Sequence, residues 1–85
     1  MAKIFKYTAE HIARGNATAF VHELEADNIV VEYAMMDPMF KNQFIMFVSC
    51  DDATAAKVRD RVWKLNGGAF CDMCITTADK LEEYL

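Results

Sequence analysis

Three cysteines and two histidines are the residues in this 85-residue chain whose types suit redox or metal chemistry. Cys71-Asp72-Met73-Cys74 has the spacing shared by zinc-binding pairs and reactive dithiols. A structural zinc site needs four ligands, usually from two such pairs, and only Cys50, His11 and His22 remain as others. A reactive dithiol wants its first cysteine at a helix N-terminus. This pair falls in an apparent strand, where residues three apart point to opposite faces. The cysteines therefore read as structural. His11 and His22 are three helical turns apart, about 16 Å on one continuous helix, which is too far for shared ligation. No Ser, His and Asp set has a local nucleophile signature, and Asn66-Gly67-Gly68 reads as a helix end rather than a phosphate loop. The expectation is a chain with no catalytic constellation, no metal site and no cofactor.

Other properties narrow the function classes. A formal charge of −4 disfavours general binding to a phosphate backbone. The charge is uneven: Glu23, Glu25, Asp27, Glu32 and Asp37 fall in a stretch from Gly15 to Phe40 without a single Lys or Arg. The segment Lys57–Lys64 holds four bases and one acid. Two solvated faces of opposite sign explain this, as does an acidic surface that docks on a basic partner. The 54% apolar content is that of a folded chain, and the length that of one domain, residues 1–85. No run approaches the roughly 18 apolar residues of a membrane span. No signal peptide is evident at the start, and an odd cysteine count suits a reducing, cytoplasmic setting.

The elements that must position these residues follow from periodicity. The clearest is Gln43–Cys50, a strand that is apolar on both faces. Phe44, Met46, Val48 and Cys50 point one way, Ile45 and Phe47 the other. A first strand is expected over Lys3–Thr8, with Thr8 capping a short helical or tight-loop stretch over residues 9–14. A helix core over Asn16–Ala26 follows, carrying Ala17, Phe20 and Leu24 on one face and stopping at Asp27-Asn28. A second strand over Ile29–Met36 presents Ile29, Val31, Tyr33 and Met35 as its apolar face. The Asp37-Pro38 turn joins it to Gln43–Cys50 as a hairpin. Asp51 or Asp52 caps a second helix with Ala55, Val58, Val62 and Leu65 on its core stripe, ended by Asn66-Gly67-Gly68. A fourth strand over Ala69–Thr76 and a Thr77-capped helix over Ala78–Leu85 complete the chain.

The order β-α-β-β-α-β predicts an α+β, ferredoxin-like fold: a four-stranded antiparallel sheet in order 4-1-3-2, plus a short C-terminal helix. RNA-binding domains of this topology carry a basic-Gly-aromatic pattern on the third strand. Gln43-Phe44-Ile45-Met46-Phe47-Val48 lacks both the Gly and the leading base, so nucleic acid is not expected as a partner.

Met35, Met36, Met39 and Phe40 cluster around the hairpin turn, where loop tips are usually polar. Thioethers suit adaptable binding surfaces. Two surfaces are thus candidates for a protein partner. One is the hairpin tip, Met35, Met36, Asp37, Met39 and Phe40, with the acids Glu23, Glu25 and Asp27. The other is the second sheet face, Ile45, Phe47 and Phe70, which a second copy or partner could bury unless the C-terminal helix covers it through Leu81, Tyr84 and Leu85. The function expected is that of a small acidic protein-interaction module, a regulator or inhibitor of a larger protein, comparable in size to the inhibitors phages make against host proteins or defence systems. A small-molecule-sensing domain is the alternative, ahead of a small enzyme.

Overall fold

The computed structural model describes residues 2–37, 39, 40, 42–68 and 71–85, the side chain of Cys71 excepted. Its elements run β1 (Lys3–Ala9), α1 (Arg14–Ala26), β2 (Val30–Asp37), β3 (Gln43–Cys50), α2 (Asp52–Leu65), β4 (Cys71–Thr76) and α3 (Ala78–Glu82). The four strands form one antiparallel sheet in the order β2-β3-β1-β4. This is the α+β architecture and strand order expected from the sequence.

β3 is central, and its alternation builds two cores. Phe44, Met46 and Val48 join Phe5 and Tyr7 of β1, Phe20 and Leu24 of α1, and Val58 and Val62 of α2 in the main cluster. Ile45 and Phe47 face the other way, into a smaller cluster with Leu81 of α3 and the half-buried Ile4, Tyr33, Met35 and Tyr84. Tyr7 is fully buried, and its hydroxyl donates to the Ala55 carbonyl at 2.8 Å. A phenol can enter an apolar core only with such a partner.

Both long helices stop by the same device. After α1, Asn28 adopts φ 64°, its N–H donates to Glu25 O, and the Ile29 N–H reaches back to Leu24 O. After α2, Gly67 takes φ 66°, with its N–H on Lys64 O and the Gly68 N–H on Trp63 O. These paired bonds are the Schellman arrangement, which favours Gly or Asn at the left-handed position. Ile29 packs against the main cluster that holds Leu24, the apolar contact that accompanies the motif.

Asp51 caps α2, its Oδ1 accepting the Thr54 N–H at 2.8 Å. That backbone bond, reinforced by the Thr54 side chain, lowers the Asp51 carboxyl below its ordinary value. A carboxyl lowered on folding stabilises the fold above its unfolded pKa and loses that contribution as pH falls through the folded one. Asp51→Ala is therefore expected to be less stable than the parent in urea at pH 7, with the gap narrowing as the pH falls below the ordinary aspartate value of about 3.9. A gap that stayed constant across that range would contradict the charge-assisted cap.

Two sequence expectations need correction. β1 runs on through Ala9, so Thr8 is a strand residue paired with Ile45 and Asp72, not a helix cap. Helix α1 then starts at Arg14, two residues before Asn16, from Ala13, whose side chain makes no capping bond. The intervening loop places His11 at φ 62° and buries Ile12. Burial of Ala9 and Ile12 in the core outweighs the local capping signal.

The second correction concerns β2. The pairing with β3 shifts between Val31 and Tyr33, a bulge around Glu32. Ile29 and Val31 face the helices as expected. After the bulge, Ala34 and Met36 face the helices, while Tyr33 and Met35 join the second cluster. One extra residue in a strand reverses every later side chain.

Candidate functional site

The hairpin between β2 and β3 is built from its own polar groups. Asp37 Oδ1 accepts the Met39 N–H at 3.1 Å, Asp37 O accepts the Phe40 N–H at 3.3 Å, and Phe40 O accepts the Gln43 N–H at 3.0 Å. Asn42 takes φ 49°, and its carbonyl accepts the Ile12 N–H at 3.3 Å, tying the tip to the loop that precedes α1. This frame holds Met39 outward at 93% exposure and Phe40 at 51%. Met35 and Met36 are half-buried, one on each face of the sheet. The four apolar residues of the expected tip thus divide. Met35 and Met36 close the ends of the two cores, and Met39 and Phe40 project.

The acids expected beside the tip lie elsewhere. α1 packs against β2, and its 13 residues span about 18 Å at 1.5 Å per residue. Its first turn, at Arg14, lies beside Met36 and Phe44 at the tip end of the sheet. Its last, at Asp27, lies beside Ser49 and Cys50 at the opposite end. Glu23 and Asp27 are engaged there by Arg61 of α2, at 3.6 and 3.0 Å, and Glu25 stands 3.8 Å from His22. Arg61 also sits over the Phe20 ring, 5.8 Å from its centroid. The basic and acidic segments of the sequence are therefore partly neutralised against each other. Of the acids named with the tip, only Asp37 stays there, and its carboxylate holds the turn.

α3 settles the state of the second sheet face within the chain. Leu81 packs on Ile45 and Phe47, and Tyr84 lies 5.2 Å from Phe47 and 6.4 Å from Tyr33, ring to ring. The Tyr84 hydroxyl accepts from Lys6 Nζ at 3.0 Å. Thr77 caps the helix through its side chain. Ile45 is 8% exposed and Phe47 is fully buried, so neither is available on the surface of a single copy. Leu85, expected with them, is 77% exposed beyond the end of the helix. Phe70 lies outside the described residues.

The residues singled out for chemistry are dispersed. Cys50 is half-buried and Cys74 exposed, and both are free thiols. Burial, then the charges of Asp51 and Asp52, push the Cys50 thiol up, which makes it a poor nucleophile at neutral pH. Among the described residues no three His, Cys, Asp or Glu side chains gather as metal ligands. No helix among them is long and apolar enough to cross a membrane.

Features beyond the sequence reading also emerge. Trp63 and Ile75 are exposed at 48% and 63%, and the Trp63 ring would stand 3.3 Å from a Cβ at Gly68. Arg14 lies beside an open groove between α1 and β2. The helical and strand patterns leave these positions off the core stripes, but only the fold shows which neighbours they have. No protein-family model, curated protein or solved structure matches the chain.

Proposed function

We propose that this chain is a non-enzymatic protein-interaction module that regulates or inhibits a larger protein, on a frame of the ferredoxin-like type. The observation that carries this reading is the adjacent pair Met39 and Phe40, two large apolar side chains held out on a hydrogen-bonded turn. An isolated exposed apolar residue needs no explanation, but two adjacent ones at a turn can serve as an anchor for a partner's pocket. The partner surface is the tip end of the sheet: Met39 and Phe40 as anchors, Met35 and Met36 beneath them, and Asp37 fixing the turn. Glu23, Glu25 and Asp27, at the far end of α1, are left out of it. A reducing compartment suits the odd number of cysteines.

Tagged parent chain, a Met39→Ser/Phe40→Ser variant and a Glu25→Lys variant are compared in affinity purification from the source cells. The expected result is one stoichiometric partner held by the parent and by Glu25→Lys, and lost by the double variant. A partner lost by Glu25→Lys and kept by the double variant would move the site to the acidic end.

A further inference from the structure

A second feature lies next to the tip. Between α1 and β2 runs a groove of about 250 Å³, lined by Ala17 and Val21 from the helix and by Ala34, Met36 and Phe44 from the sheet. Two small residues leave it open. Ala17 and Ala34 stand where larger side chains would fill the space, and the bulge is the reason Ala34 is there. Without the shift between Val31 and Tyr33, Tyr33 and Met35 would face α1 instead.

Two neighbours give the groove a chemistry. Arg14 is exposed at its rim, and among the described residues its guanidinium has no hydrogen bond or ion pair. Among the described residues β2 is an edge strand, bonded only to β3, so its outer backbone groups have no strand partner there. From Tyr33 to Asp37 its pairing is regular, a template five residues long.

We infer that the groove and the β2 edge together take an extended segment of the partner protein, with an apolar side chain over the Ala17–Ala34 gap and a carboxylate on Arg14. The inference rests on the tip-end reading and names what that partner presents. An added strand gains backbone hydrogen bonds from the edge, and its alternate side chains enter the groove. Period 2 requires the apolar and acidic residues at i and i+2, so that both fall on the α1 side. The acid belongs at the Arg14 end. Glu32, exposed in the bulge farther along β2, opposes one there. Asp37 also carries charge at the Arg14 end, but its carboxylate is turned to the Met39 N–H.

The probes are two peptides, Ac-Thr-Leu-Thr-Asp-Thr-NH2 and Ac-Thr-Asp-Thr-Leu-Thr-NH2, one for each strand direction, titrated into the isotope-labelled full chain by NMR. One of them is expected to shift the amides of Ala17, Ala34 and Met36 saturably, with its Asp→Lys version about fivefold to tenfold weaker. Arg14→Glu, an exposed change, is expected to reverse that preference, and Ala34→Leu to abolish binding by filling the gap. Equal binding of the Asp and Lys peptides, shifts confined to other surfaces, or no saturation by either peptide up to about 10 mM would overturn the proposal. The peptides do not need Met39 or Phe40. Failure here and failure of the tip reading are therefore separate results.

Discussion

Serine at both Met39 and Phe40 is expected to weaken partner binding about a hundredfold, while the melting temperature falls by no more than about 10 °C. The two halves of that result come from the same exposures. At 93% exposure Met39 buries almost nothing in the isolated chain, and Phe40, at 51%, buries about half of its surface, so their loss costs the fold less than the loss of core residues would. In a complex they would be the desolvated apolar anchors, and truncating such anchors costs about 2–4 kcal/mol. The turn itself survives, because its bonds come from Asp37 and from the backbone of residues 37, 39, 40 and 43. Titration calorimetry on the purified pair and scanning calorimetry on the free chain measure both halves. Unchanged affinity with a large fall in melting temperature would make these residues core closures and remove the anchor.

Alanine at both Leu81 and Tyr84 is expected to destabilise the chain by about 3–5 kcal/mol, or roughly 15–30 °C in melting temperature. Leu81 is 8% exposed and caps Ile45 and Phe47, and Tyr84 packs at a tilt against Phe47 while accepting from Lys6. α3 has only five residues, too short to persist without this packing. Its loss uncovers Ile45, Phe47 and part of Tyr33 on the sheet face. The variant should therefore bind a hydrophobic dye and self-associate, in contrast to the tip variant. Truncation of residues 78–85 should do the same. A monomer with parental stability and no dye binding would show that α3 is not an essential cover. That cost is large for a domain of this size, whose whole stability is expected at about 5–10 kcal/mol.

What could be read from the sequence depended on how local each signal was. β3 was fully legible, because its alternation needs no knowledge of its neighbours, and it assigned Phe44, Met46 and Val48 to one core and Ile45 and Phe47 to the other. α2 was legible for a similar reason: a 3.6-residue stripe, an Asp cap and a Gly stop are all local. The element order carried the sheet order with it. The β2 bulge was not legible, since a register shift is a property of two strands. That one shift exchanged Met35 for Met36 on the helix side and opened the groove at Ala34. The distance of Glu23, Glu25 and Asp27 from the hairpin was not legible either, since it depends on how α1 lies on the sheet. A helix antiparallel to its neighbouring strand carries its C-terminal residues to the other end of the sheet, where Arg61 receives two of them.

Hydrogen exchange on the chain with and without its purified partner tests the tip-end site most directly. Binding is expected to slow exchange in residues 12–21 and 34–44, which carry the α1 start, the groove and the hairpin, and to leave 23–28 and 57–61 unchanged. Protection confined to 23–28 and 57–61, or to β4, with the hairpin exchanging as in the free chain, would contradict it.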